Sequence, residues 1–354
     1  RLFEFSNAAA LLTAKQALVE DTLFAATRRQ LGEYGAIGAD SVRSVFRNYD
    51  VTAGPGATVR AGAGARRGDW HSYTMVDGLP SQNIINLAQG PDGALWGGAA
   101  YFGQLFRYDG GSIRVYSAED GLSSRVNEIQ KDRAGNLWIT WLDEGGVSRF
   151  DGKRFVSYGL EDGLAGNEVS AMMEDPAGDF WFATDRGVSR LDESGFVSVF
   201  GMETLGRVSA MFSDSRGAIW FGSYWDGLAR YDGDEIRKFT AADGLPSEAD
   251  DDGRTRYGIE GIAETANGDL WVGSCCGLIR FDGTSFSILT VTDGLVALDV
   301  NDLAIDGDDN LWVAAWGGVS RFDGEEFDNF TTADGLPQSL VRAVIEDDTD
   351  NLWV

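Results

Sequence analysis

A tryptophan that follows an apolar residue returns at Trp96, Trp138, Trp181, Trp220, Trp271, Trp312 and Trp353, in steps of 42, 43, 39, 51, 41 and 41 residues. Twelve residues before each stands a β-branched residue: Ile84, Val126, Val169, Val208, Ile259, Val300 and Val341. Nine before stands another apolar residue: Leu87, Ile129, Met172, Met211, Ile262, Leu303 and Val344. A period near 41 residues marks a supersecondary unit that cannot bury its faces alone and must stack on neighbours like itself. This excludes most folds before composition is considered.

A second constant element follows the first six of these tryptophans. It reads Arg107-Tyr108-Asp109-Gly110, Arg149-Phe150-Asp151-Gly152, Arg230-Tyr231-Asp232-Gly233, Arg280-Phe281-Asp282-Gly283 and Arg321-Phe322-Asp323-Gly324, with Arg190-Leu191-Asp192-Glu193 as a degenerate copy. After an apolar-rich run, such as Phe155-Val156-Ser157-Tyr158, comes an Asp-Gly-Leu junction beginning at Asp77, Asp120, Asp162, Asp243, Asp293 and Asp334. Each unit therefore reads as four short strands separated by turn signals: A with the paired apolar positions, B with Leu-Trp, C with Arg-aromatic-Asp, and D before the junction. Four strands per unit predict an all-β fold, a seven-bladed β-propeller of four-stranded antiparallel blades, preceded by a short α-helical segment. The large tryptophan ring is the wedge expected between blades.

The blade count rests on the ends. Residues 70–354 divide into seven units of blade length, the last holding strand A and the start of B. The segment Trp70 to Thr74 reads as a strand D without its own A, B and C, so it is expected to complete the last blade and leave that blade without strand C. Such a closure removes exposed sheet edges. Upstream, Asn7 to Leu31 reads as a helix and Asp40 to Asn48 as a shorter one, both within a helical leader at 1–50 that is read as the tail of an upstream domain. Residues 51–69, rich in Gly, Ala and Arg, read as a flexible linker. The start at Arg1 and the stop inside a repeat read as a piece of a longer chain.

Composition supports this and removes alternatives. Glycine makes up 47 of 354 residues, about 13% against a usual share of roughly 7%, without a G-X-Y period. Many tight turns explain the excess, because glycine alone takes positive φ freely. The net charge is −27; residues 1–69 hold nine basic and seven acidic side chains, so the remaining 285 carry −29. A body so acidic repels phosphate backbones, which excludes nucleic acid as a partner. No stretch has the ≈ 18 consecutive apolar residues of a membrane-spanning helix. The single histidine, His71, excludes histidine-cluster metal sites, and a Ser-His-Asp hydrolase would need that one residue as its base. Cys275 and Cys276 are adjacent, so they cannot form a disulfide framework.

Asp-Gly-Leu-Pro, Asp-x-x-Gly-Asn-Leu-Trp and Gly-Gly-Val-Ser-Arg-Phe-Asp-Gly closely resemble the two-component regulator propeller repeat. Good copies run from Asp132 to Trp138 with Gly145 to Gly152, and from Asp308 to Trp312 with Gly317 to Gly324. The resemblance covers everything after Asp69. It implies a non-catalytic sensory or ligand-recognition propeller of a bacterial signal-transduction protein. It also implies a periplasmic or extracytoplasmic location, an output signalling domain elsewhere in the full-length protein, and room for a homodimer. Many such propellers sense oligosaccharides, so a small polar ligand of that kind is the expected partner. No cofactor and no metal is expected. A protein-interaction scaffold is the first alternative and a glycan-acting hydrolase or lyase the second.

In a four-strand meander the A–B and C–D turns lie on one face and the B–C and D–A loops on the other. The Asp-Gly turns and the strand C arginines are too uniform for recognition and read as structural. The B–C loops vary, as recognition on a fixed scaffold requires. Of 11 tryptophans, seven are repeat anchors; Trp141, Trp225 and Trp316 fall in B–C loops. Tyr101, Phe102, Asp143, Glu144, Asp185, Arg186, Tyr224 and Asp226 accompany them. Aromatic faces that stack on sugars, beside carboxylates and guanidinium groups that bond hydroxyls, make an oligosaccharide site. Blade five has the one large insertion, Ser247 to Tyr257, in a D–A loop on the same face. Arg254, Arg256 and Tyr257 are expected near the central pore. Its acids Glu248, Asp250, Asp251 and Asp252 invite a calcium reading, but the EF-hand spacing fails and a solvated loop is expected. Cys275-Cys276, in another B–C loop, reads as a buried pair or as a redox switch. His71 is placed at the rim, away from the pore.

Overall fold

The computed structural model describes residues 50–61, 65–67, 70–99, 103–122, 124–142, 145–249 and 252–354. The two expected leader helices lie outside the described residues. From Ile84 onward the chain forms six four-stranded antiparallel meanders in the order A-B-C-D. Blade one runs Ile84–Gln89, Leu95–Ala99, Gln104–Tyr108 and Ser112–Tyr116; blade two runs Val126–Lys131, Leu137–Trp141, Val147–Phe150 and Arg154–Tyr158. Blade three is Val169–Glu174, Phe180–Thr184, Gly187–Asp192 and Gly195–Gly201; blade four is Val208–Ser213, Ile219–Ser223, Gly227–Tyr231 and Ile236–Phe239. Blade five is Gly261–Glu264, Leu270–Ser274, Gly277–Phe281 and Phe286–Leu289; blade six is Val300–Ile305, Leu311–Ala315, Gly318–Phe322 and Phe327–Phe330.

The repeat motifs have local causes. In the A–B turn an aspartate accepts backbone amides two and four residues on, then takes the indole N–H of the tryptophan. Asp175 does so with Ala177, Asp179 and Trp181, the last at 2.8 Å. Asp132, Asp214, Asp306 and Asp347 hold Trp138, Trp220, Trp312 and Trp353 in the same way, and Thr265 holds Trp271. Trp96 has Gly90 at that position, and its buried indole nitrogen has no partner. The Asp-Gly-Leu junction is a capping box on a single 3-10 turn. In the first copy Thr74 and Asp77 cap each other and Gly78 ends the turn at φ 109. The leucine that follows is buried in five copies: Leu122, Leu164, Leu245, Leu295 and Leu336.

Blades are joined by rules that repeat around the ring. Four anchor tryptophans meet the strand C aromatic of the next complete blade: Trp96 with Phe150 at 5.6 Å, Trp181 with Tyr231 at 6.2 Å, Trp220 with Phe281 at 5.6 Å and Trp271 with Phe322 at 5.4 Å. Where the motif is degenerate and Leu191 replaces the aromatic, Trp138 stacks on Phe180 instead, at 4.8 Å. Nearer the centre, the side chain after the first residue of strand A donates to the next blade's strand A carbonyl. Asn127 reaches Val169, Ser170 reaches Val208, Ser209 reaches Ile259 and Asn301 reaches Val341. Acceptors one residue further on take the next blade's amides: Asn86 from Ile129, Glu128 from Met172 and Asp302 from Val344.

The blade count differs from the expected seven: six blades are complete. The seventh angular position holds only the short hairpin Ile345–Glu346 with Leu352–Trp353. That hairpin obeys the ring rules on both sides, through Asn301 and Asp302 from blade six and through Trp353 against Tyr108 of blade one at 5.9 Å. The strand Trp70–Ser72 does not complete it; it pairs with Ala65–Arg67 instead. The reason is topological: in a meander D pairs with C, and without a strand C there is no ladder for it to join. Trp70 instead packs edge-on against Phe330 at 5.6 Å, in one cluster with Trp312 and Leu352.

The expected linker at 51–69 is also corrected. Ala57–Arg60 adds a fifth, outer strand to blade one, and Asp50–Thr52 does the same for blade two. Their pairing partners are the exposed edges of the D strands, so the segment covers edges that blades three to six leave open.

Candidate ligand-binding face

The A strands of neighbouring blades pack on each other around the centre. At their starting ends, between blades two and five, lies a cavity of about 350 Å³. Its wall includes Glu168, Arg207, Tyr224, Trp225 and Glu260. It opens on the face of the B–C and D–A loops, where sequence placed the site.

Tyr224 and Trp225 form the B–C turn of blade four, with ring centroids 4.9 Å apart and planes at 70°. The blade-five insertion folds over this turn as a small hairpin, Glu248–Ala249 paired with Thr255–Arg256. The amides of Tyr257 and Gly258 both donate to the Tyr224 carbonyl, at 3.0 and 3.1 Å. The Arg256 guanidinium donates to the Tyr224 hydroxyl at 2.9 Å and pairs with Glu248. Arg254 lies over the Trp225 ring, 4.4 Å from its centroid. Tyr257 is buried, its hydroxyl accepting the Ala241 amide at 3.1 Å. It supports the hairpin and faces no solvent. Burial among the crowded loop ends pushes the Glu260 carboxyl above its ordinary value.

The other expected residues divide. Trp141 is the last residue of its strand B, buried with its indole N–H on Ser148 at 2.9 Å, and it forms the blade-two side of the cavity wall. Asp185 accepts the Glu168 amide at 3.2 Å and pairs with the exposed Arg186 at 3.6 Å, which makes it a loop cap at the edge of the cavity. Asp226 caps the blade-four turn through Ser223 at 3.3 Å. Trp316 is 60% exposed on the B–C turn of blade six and does not line this cavity. Tyr101, Phe102, Asp143, Glu144, Asp250 and Asp251 lie outside the described residues. The strand C arginines are structural as expected: Arg280 pairs with Asp269 at 2.5 Å and lies 5.9 Å from the Trp271 ring of its own blade.

Glu168, Arg207 and Glu260 were missed. The first two directly precede the first apolar residue of strand A, and Glu260 follows it. A signal existed, since charge at these positions changes from blade to blade while the neighbouring Val or Ile does not. His71 stacks on Tyr73 at 4.8 Å and is absent from the cavity wall.

Among the described residues no helix is long and apolar enough to cross a membrane. No curated protein sequence matches the chain. Solved structures do. The extracellular domain of a hybrid two-component system from B. thetaiotaomicron shares 19% identity over 84% of this chain and 40% of its own, with a TM-score of 0.64. A streptogramin B lyase shares 15% over 78% of this chain and 91% of its own, with a TM-score of 0.61. PorZ, a surface component of the type-IX secretion system of Porphyromonas gingivalis, shares 16% over 78% and 46%, with a TM-score of 0.56. The chain spans about two fifths of the first relative's length. At such identities the likeness is one of fold. The family model described as two-component regulator propeller matches residues 163–186, which run from the end of one blade junction through strand B of blade three. Within the propeller, residues 163–186 are thus a copy of the two-component regulator propeller repeat.

Proposed function

We propose that this propeller is the recognition part of a bacterial signalling protein, acting outside the cytoplasm, and that it binds a small polar ligand of the oligosaccharide class at the blade-four face. The carrying observation is the pairing of Tyr224 and Trp225 with a cavity whose rim holds Glu168, Arg207 and Glu260. Aromatic rings take the apolar face of a sugar while carboxylates and a guanidinium bond its hydroxyls. The repeat and the extracellular hybrid-system relative support the signalling reading. Ligand binding would tighten the hairpin against blade four and so bias blade packing, or contacts with a second copy, toward an output domain. The lyase relative supplies only a likeness of fold, and the cavity wall has no histidine to serve as a general base.

Calorimetric titration of the full chain against a panel of neutral and acidic oligosaccharides tests this. A saturable heat abolished by Trp225→Ala and kept by Trp316→Ala supports the site. No heat with any sugar, or heat insensitive to Trp225→Ala, overturns it.

A further inference from the structure

The insertion hairpin carries a second cluster, independent of the ligand reading. Cys275 and Cys276 are the two turn residues between strands B and C of blade five, whose last ladder pair is Ser274 with Gly277. Their sulfurs are 3.4 Å apart and both residues are partly buried. The Glu248 carboxylate comes down on them from the hairpin, and one ligand atom from each of the three residues lies within 4.8 Å of the others. Sequence spacing hides this, because Glu248 and the cysteines are separated by a whole A–B hairpin.

We propose that Cys275, Cys276 and Glu248 form a binding site for a thiophilic divalent cation of the zinc class, which clips the insertion hairpin to blade five. Tetrahedral zinc with sulfur ligands at ~2.3 Å sets two sulfurs about 3.8 Å apart, and a sulfur and a carboxylate oxygen about 3.6 Å apart. The sulfurs already lie within a few tenths of an ångström of that separation, and the carboxylate needs only a side-chain adjustment. A disulfide fits less well. Neighbouring α-carbons across a trans peptide are about 3.8 Å apart, below the ~4.4–6.8 Å that disulfides ordinarily span. Chelation needs no such distortion.

Charge and coordination are consistent with the cation. Two thiolates and a carboxylate bring three negative charges. A dication and the Arg256 guanidinium, already paired with Glu248, offset all three. Binding forms two metal–sulfur bonds and one metal–oxygen bond, and both thiol protons leave to solvent. A water molecule takes the fourth position.

Cobalt(II) serves as the spectroscopic probe, added to the phosphine-reduced full chain. The expected result is a thiolate-to-cobalt charge-transfer band saturating at one equivalent and bleached by zinc. Cys275→Ser and Cys276→Ser should each abolish the band. Glu248→Gln, a change on the hairpin surface that leaves the blades intact, should weaken cobalt binding by about tenfold or more. Zinc should also slow tryptic cleavage after Arg254 and Arg256 in the native chain and not in Glu248→Gln. Absence of the band in protein with two titratable thiols overturns the site. So does a band unchanged by Glu248→Gln, or a pair that resists metal because it is already a disulfide before reduction and re-forms at once afterwards.

Discussion

The backbone amide of Asp348 donates to the side-chain oxygen of Gln89 at 3.0 Å, joining residues 259 positions apart. The same bond recurs around the ring. Arg133 reaches Glu174, Ser215 reaches Glu264 and Gly307 reaches Glu346, each from an A–B turn to the last residue of strand A in the next blade. The half-blade at the seventh position thus closes the propeller by the rule that joins complete blades. It does so with a hairpin, where strand pairing would be stronger.

That closure should be the weakest joint. Asp302→Ala removes the acceptor for the Val344 amide at 2.9 Å, leaving a donor unpaired at a cost of about 1–3 kcal/mol. Hydrogen exchange should speed up selectively in residues 341–354, roughly five- to a hundredfold, while amides of blades two to four keep their protection. Uniform acceleration across all blades would mean that the ring opens as one unit.

The anchor tryptophans offer an internal comparison. Trp181 and Trp96 are both 3% exposed, but the indole of Trp181 bonds Asp175 while that of Trp96 has no partner. Trp181→Phe leaves a buried carboxylate oxygen unpaired, whereas Trp96→Phe removes a nitrogen that was unsatisfied already. Urea unfolding should show Trp181→Phe as the more damaging change by about 1–3 kcal/mol. Equal losses would show that the indole bond contributes nothing beyond ring packing.

Much of this architecture was legible because the repeat imposes one chemical role per position. Asp175, Trp181 and Leu164 could be placed on turn, wedge and junction from spacing alone. The seventh blade was overcounted because periodicity reports strands A and B equally well whether or not C and D follow. The linker was misread for a related reason: Ala57 to Arg60 is only four residues long in a Gly/Ala-rich stretch, and an outer strand with all four side chains exposed pairs by backbone alone. At the candidate site, Trp225 and Arg254 were legible as variable-loop residues. Trp141 lines the cavity from the end of strand B and not from a loop, since one residue decides whether a tryptophan ends the strand or begins the loop. The Glu248–Cys275 juxtaposition depends on how an insertion folds back, which no local pattern encodes.

The stability contributed by two buried carboxyls should fall as pH rises from mildly acid to alkaline. Burial pushes the Glu128 carboxyl up to about 8, aided by the charge of Asp302, although the Met172 amide opposes it. Burial likewise pushes Asp302 up to about 6. Both groups hold their protons more tightly folded than unfolded. The folded state is therefore favoured below the ordinary carboxylate range, and that advantage is lost as pH rises through about 6 and then about 8. Glu128→Gln should flatten the upper part of this slope, so the urea midpoint of the variant exceeds that of the native chain at pH 9 and not at pH 4. A variant midpoint that tracks the native one at both pH values would contradict the burial of Glu128.

The hairpin over blade four should respond to Trp225 and ignore Trp316. Arg254 lies 4.4 Å from the Trp225 centroid, a cation–π contact of about 0.5–2 kcal/mol. Trp225→Ala removes it, so tryptic cleavage after Arg254 should accelerate about two- to thirtyfold as the hairpin opens more often. Trp316→Ala, on the exposed turn of blade six, should leave the cleavage rate unchanged. A ligand that enters beside Trp225 should slow cleavage of the native chain and have no such effect on Trp225→Ala. Equal cleavage in both variants would place the hairpin's hold entirely in the Tyr224 carbonyl and hydroxyl bonds. Its closure could then not be the step that reports ligand.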